Sequence, residues 1–164
     1  MKTIVLYKSK YGATASIAQR LSQEVSCDVQ ELTSNTSIKD YDQIVLGSSV
    51  YVGMFDKELK TFVNTHMEEL RTKKVYMYVS CLKKEEVEKV IRENLGEEFL
   101  SLLQRVISIG GVLDFSKMSF MHRQIIKMVN SKDNIVERVD KVSVANMLDE
   151  EQYICLKNLL KQHA

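Results

Sequence analysis

The chain has 164 residues, 45% of them hydrophobic and 27% charged, with a formal net charge of +1. That length predicts one domain over residues 1–164 with a substantial core, and the ordinary composition places it among globular proteins. Near-neutral charge argues against a strong global attraction for nucleic acid, and no apolar run approaches the ~20 residues that a membrane-spanning helix needs. The N-terminus lacks a signal-peptide layout, which sets the expectation of a cytoplasmic protein. Cys27, Cys81 and Cys155 are odd in number and form no C-x-x-C pair. They read as reduced thiols, not as a disulfide frame or a zinc site. His66, His122 and His163 are scattered, so no metal constellation is expected.

In chain order, Lys2–Lys8 reads as a strand, with the apolar run Ile4-Val5-Leu6-Tyr7 at its centre. Ser9-Lys10-Tyr11-Gly12-Ala13-Thr14 follows at once as a loop. Thr14–Val25 is predicted as a helix, because Ile17, Ala18, Leu21 and Val25 form one apolar stripe. Cys27–Leu32 is a short alternating strand, Ser34–Lys39 a polar loop, and Ile44–Gly47 a buried strand. Asp56–Leu70 is a helix with Asp56 as its N-cap and Leu59, Phe62, Val63 and Met67 on one face. Val75–Val79 is the next strand, and Lys84–Phe99 reads as a single charged amphipathic helix. Arg105–Ile109 is a strand ending in Gly110-Gly111, and Met118–Val129 a helix. Glu137–Val144 reads as a short strand or a loop, and Asp149–Leu160 as a closing helix.

Strands alternating with helices imply an α/β fold: a five-stranded parallel sheet covered on both faces, three layers, doubly wound. In such sheets the ligand sits beyond the carboxyl ends of the strands. That brings together Ser9–Thr14, Ser48–Gly53 and Ser80–Lys83.

The first of these loops has the makings of an anion site. A buried strand that stops at a hydroxyl-rich, glycine-containing turn and opens a helix directs free backbone N–H groups, and the positive end of the helix dipole, at whatever occupies the turn. Ser9 and Thr14 add hydroxyl donors, the charge of Lys10 suits a phosphate, and Gly12 permits close approach. The plain alternative is a strand–helix turn whose hydroxyls merely cap the helix. Neither G-x-G-x-x-G nor G-x-x-x-x-G-K-[ST] occurs, so dinucleotide and P-loop nucleotide hydrolysis lack their motifs. A response-regulator receiver needs acidic residues where this chain has Lys8-Ser9-Lys10 and Gly47-Ser48-Ser49.

Other residues divide between functional and structural readings. Tyr51 is either a ligand contact or loop packing, and Cys81 reads as a small buried hydrophobe. His122 beside Arg123 reads as surface or structural. Residues 117–132 interleave apolar side chains with Lys117, His122, Arg123, Lys127 and Lys132 and contain no acidic residue. That pattern suits an anionic membrane surface or a hydrophobic substrate; the alternative is a layer helix with a basic outer face.

The loops also carry a family likeness. Ser9–Thr14 has the S/T-x-x-G-x-T form and resembles the flavodoxin phosphate loop. Tyr41–Tyr51 resembles the flavodoxin third strand with its flavin-contacting loop. Gly47–Met54, Phe55–Val63, Ile109–Phe115 and Met121–Met128 resemble the menaquinone-dependent protoporphyrinogen IX dehydrogenase branch of that family. The resemblance implies strand order 2-1-3-4-5 and FMN as cofactor. It implies that Ser9, Lys10, Tyr11, Gly12, Ala13 and Thr14 hold the 5′-phosphate. Ser48, Ser49, Val50, Tyr51, Val52 and Gly53 would line the flavin edge, with Ser80, Cys81 and Leu82 as the opposite wall. That third loop carries neither an aromatic nor a glycine. The implied activity is an FMN oxidoreductase passing electrons from a reduced hydrophobic substrate to a quinone, with a place in porphyrin biosynthesis. The alternatives are a flavodoxin-type electron carrier serving redox partner proteins, or a domain that has lost its flavin. Near-zero net charge departs from the acidic character of shuttle flavodoxins. Peripheral contact with the inner membrane face would run through residues 117–132. No residue stands out as a general acid or base.

Overall fold

The computed structural model describes residues 1–81, 84–110, 112–114, 124, 144–146 and 148–162. Strands β1 (Thr3–Lys8), β2 (Asp28–Glu31), β3 (Gln43–Ser49), β4 (Lys74–Ser80) and β5 (Arg105–Ser108) form one sheet in the order β2-β1-β3-β4-β5. Every pairing in it is parallel. This is the predicted flavodoxin-like order, and each predicted strand is found with ends moved by no more than two residues.

Both faces are covered, which is why the central strands β1, β3 and β4 read as continuous apolar runs, whereas the mostly exposed edge strand β2 does not. On one face Ile4, Leu6, Ile44, Leu46, Val75 and Met77 pack against α2 (Lys57–Leu70) and α3 (Val87–Leu95). On the other, Val5, Val45, Tyr76, Tyr78 and Ile107 pack against α1 (Ala13–Glu24) and the closing helix α5 (Glu150–Lys161). The predicted α1 stripe of Ile17, Ala18, Leu21 and Val25 is buried throughout. Asp56 caps α2 as predicted, accepting from the Glu58 N–H at 2.9 Å.

The reading of Lys84–Phe99 as one helix is corrected. A 3₁₀ turn at Lys84–Glu86 leads into α3, and α4 (Glu97–Leu102) is separate. The break is Gly96, at φ 92° and ψ 156°, a conformation that side-chain-bearing residues rarely adopt. Arg92 pairs with Glu97 across it. Beyond β5 the chain forms an antiparallel pair that the sequence pattern did not reveal, β6 (Val112–Asp114) with β7 (Val144–Asn146). Of the predicted Met118–Val129 helix only Gln124 is described, and it is helical; all but the last residue of Glu137–Val144 lie outside the described residues.

Helix α5 is held to α1 by charge as well as by apolar contact. Asp149 caps it, accepting from the Gln152 N–H. Glu24 on α1 receives Lys157 at 2.8 Å, the Tyr153 hydroxyl at 3.0 Å and Arg20 at 3.1 Å, while Arg20 also reaches Glu150 at 2.8 Å. These donors, Lys157 foremost, lower the Glu24 carboxyl from 4.5 to about 2 against the opposing cost of desolvation. The folded state therefore binds its proton less readily than the unfolded chain does. The contribution is complete above pH 4.5 and is lost as pH falls toward 2. Glu24→Gln is expected to flatten the acid limb of stability across that window, as read from far-ultraviolet circular dichroism during acid titration. An unchanged acid limb would remove Glu24 from that role.

Candidate functional site

Three strand ends lie side by side. The register pairs Lys8 with Ser48 and Ser49 with Ser80, and the Val50 N–H donates to the Ser80 carbonyl at 3.0 Å. The loops that follow β1, β3 and β4 therefore leave the sheet together, as the sequence implied. Of the residues singled out from the sequence, Leu82, Lys83, His122 and Arg123 lie outside the described ones, as does the 117–132 segment apart from Gln124.

The first loop closes on itself. The Gly12 N–H donates to Ser9 Oγ at 3.1 Å, and Gly12 caps α1 with φ 92°. No side chain caps this helix and no acidic residue stands in its first turn. The positive end of α1 is thus left without the usual compensation. A Cβ built on Gly12 would meet nothing within 4 Å, so the turn opens onto free space. Thr14 is fully buried, yet its Oγ1 has no hydrogen-bond partner among the described residues. Leaving a buried hydroxyl unmatched costs about 1–3 kcal/mol, and such an atom calls for an explanation. A phosphate oxygen held at the start of α1 would supply one, and on that count the residues present fit the anionic end of FMN. The simple capping alternative does not describe this loop, since neither hydroxyl caps the helix.

Lys8 and Lys10 differ. Lys8 Nζ binds Glu58 at 2.6 Å and Glu31 at 3.1 Å, which holds its ammonium charged above its ordinary range. Lys10 makes no ion pair among the described residues. Its ammonium lies 4.3 Å above the Tyr51 ring centroid, a cation–π geometry. Lys8, Lys10, Ser49, Tyr51, Met54 and Phe55 line a cavity of about 130 Å³ between the two loops. A smaller one of about 30 Å³ is lined by Ala13, Ser16 and Ile17 of α1 together with Ser80 and Ile109.

The second loop is a tight reversal. Tyr51 and Met54 exchange backbone hydrogen bonds at 2.9 and 3.0 Å, with Val52 at φ 49° and Gly53 at φ 70° between them. Two successive positive φ values make a type I′ turn, which normally takes Asn or Gly at both positions. Gly53 is suited to it; the β-branched Val52 is strained there and is 62% exposed, beside Met54 at 53%. Ser48 is buried, its hydroxyl 3.5 Å from the Ser49 carbonyl, and Cys81 is half-buried against the core. Asn94, which the sequence reading passed over as one residue of a charged helix, holds the turn from α3. Its amide donates to the Gly53 carbonyl at 2.9 Å and to Val90 at 3.0 Å. An Asn two residues before a helix-breaking glycine is a weak signal, visible only once the turn is placed beside it. Replacing the strained residue by one that tolerates this conformation, Val52→Asn, is expected to raise stability by about 1 kcal/mol, measured as a shift in the urea midpoint at unchanged slope. A lower midpoint would show that Val52 contributes more by contact than it loses by strain.

A model of the flavodoxin domain family matches residues 4–139. Protoporphyrinogen IX dehydrogenase (quinone) of Escherichia coli K12 is 26% identical over 181 aligned positions, covering 98% of this chain and all of that protein. Among solved structures, two-electron reduced Megasphaera elsdenii flavodoxin superposes with a TM-score of 0.52 at 18% identity, over 66% of this chain and 83% of its own. The flavodoxin, WrbA-like protein of Agrobacterium tumefaciens superposes with a TM-score of 0.51 at 14% identity, over 99% of both chains. The parallel order β2-β1-β3-β4-β5, the loops gathered at its carboxyl edge and the family match over most of its length agree: the chain belongs to the flavodoxin domain family.

Proposed function

We propose that this chain is an FMN-dependent oxidoreductase that passes electrons from a reduced hydrophobic substrate of the protoporphyrinogen kind to a quinone. The observation that carries the FMN part is the buried, unmatched Thr14 hydroxyl at the uncapped start of α1. Support for the reaction comes from the likeness to the E. coli dehydrogenase over nearly the whole of both chains. The net charge of +1 adds to it, because a shuttle flavodoxin presents an acidic face to its protein partners.

FMN supplies two-electron redox chemistry when bound. The protein's part is to hold and orient it. Ser9, Ala13 and Thr14 offer backbone and hydroxyl donors for the phosphate, Gly12 leaves the turn open to it, and Lys10 adds charge. Tyr51, Val50 and Ser49 on one loop and Ser80 with Cys81 on the other would flank the ring. Val52 and Met54 present apolar surface at the outer edge of the same loop, where a hydrophobic substrate would arrive. No helix among the described residues is long and apolar enough to cross a membrane. Access to a membrane quinone would therefore be from the surface, and the basic, apolar sequence 117–132 suits that encounter.

The test is an absorption spectrum of the purified protein with added FMN, then anaerobic addition of protoporphyrinogen with a quinone acceptor. Bound-flavin bands followed by quinone-dependent porphyrin fluorescence are expected. Flavin bands without porphyrin formation would point instead to an electron carrier, and no flavin bands would defeat the cofactor assignment. Thr14→Val keeps the shape and removes the hydroxyl. It is expected to cost a charge-assisted hydrogen bond, about 1.5–3 kcal/mol of FMN affinity, without lowering the stability of the cofactor-free protein. Unaltered FMN affinity in this variant would remove Thr14 from the phosphate site.

A further inference from the structure

Tyr78 on β4 stands directly opposite Gly47 on β3, and Gly47 in turn stands opposite Tyr7 on β1. The Tyr78 side chain is fully buried on the face that packs against α1. Its ring passes straight over the glycine. A Cβ on Gly47 would lie 2.0 Å from Tyr78 Cζ and 2.1 Å from its hydroxyl oxygen, distances no side chain tolerates. Gly47 is thus the gap through which the ring crosses β3. At the far side the hydroxyl donates to the Thr14 carbonyl at 2.9 Å. A strand separated from β1 by β3 thereby grips the first turn of the helix behind β1.

This contact is an unusual way to fill a core. A leucine or a phenylalanine would pack the same face without burying a hydroxyl. The phenol is fully buried and its ionisation is pushed well above the ordinary range by desolvation, so it remains a donor. The residue it grips is the one whose own hydroxyl is buried and unmatched at the start of α1. Two residues further along, the Ser80 carbonyl accepts from Val50. One strand therefore braces both the phosphate loop and the loop after β3.

We propose that Tyr78 is a positioning residue for the phosphate end of the flavin site, reaching through the gap at Gly47 to fix the first turn of α1 and so aim the Thr14 hydroxyl at the phosphate. The inference rests on the FMN-binding reading given above. It makes a distinction that general support of the core would not. The brace acts where the phosphate sits, so riboflavin, which has the same ring and no phosphate, is indifferent to it.

The test is Tyr78→Phe, which keeps the ring and its packing and removes one oxygen. Cofactor-free wild type and variant are titrated with FMN and with riboflavin, following the quenching of flavin fluorescence, and thermal midpoints are recorded alongside. The expected result is an FMN dissociation constant raised about tenfold, equivalent to ~1.4 kcal/mol, with that of riboflavin changed less than about twofold. Gly47→Ala, which must displace the ring, is expected to show the same selectivity. Equal weakening of both ligands, or no weakening of either in Tyr78→Phe, overturns the proposal and leaves Tyr78 a packing residue. Wild-type protein that binds neither flavin overturns the cofactor reading itself, and the proposal with it.

Discussion

The rest of the structure depends on the shared register of β1, β3 and β4. These strands are buried on both faces, so their backbone groups find partners only along the sheet, in one another and in β2 and β5. Slipping any of them by one residue would exchange its two apolar sets between layers. The register that satisfies the core also brings three strand ends level, Lys8 beside Ser48 and Ser49 beside Ser80. A site built from three loops distant in sequence thus follows from an apolar packing requirement.

Charge is distributed around that edge with some economy. Lys8 is consumed structurally, tying the end of β2 through Glu31 and the start of α2 through Glu58. The start of α1 is left bare of acidic side chains and of side-chain caps, so its dipole faces outward uncompensated. Neighbouring helices differ in this respect: α2 and α5 are each capped by an aspartate. Strain is similarly local. Val52 occupies a backbone conformation that opposes its branched side chain, and Asn94 on a separate helix holds the turn in place. Where one residue departs from its local preference, a tertiary contact enforces it.

Much of this was legible in the sequence, for reasons that differ by element. The central strands showed as apolar runs because a sheet covered on both sides buries nearly every position of β1, β3 and β4. The α1 stripe and the Asp56 cap follow short-range rules that need no tertiary context. The strand–loop–helix at Ser9–Thr14 was visible as a candidate anion site because hydroxyls, glycine and helix start are adjacent in the chain. What escaped is long-range. Gly96 breaks a helix whose charge pattern runs on unbroken. Asn94 and Tyr78 matter through partners about forty and sixty residues away in sequence. The pairing of β6 with β7 joins short segments with no repeating pattern of their own.

The way the chain leaves and rejoins the sheet after β5 has a bearing on how this fold is held together. The Ile109 carbonyl accepts from the Asp149 N–H at 2.9 Å, and β6 pairs with β7 just beyond. The excursion is therefore pinched shut at its neck by backbone bonds before it begins. Closure entropy grows only with the logarithm of loop length, about 0.6 kcal/mol for each doubling. The neck bonds themselves tie the last strand of the sheet to its last helix, through the Asp149 N–H on the Ile109 carbonyl and the β6–β7 ladder.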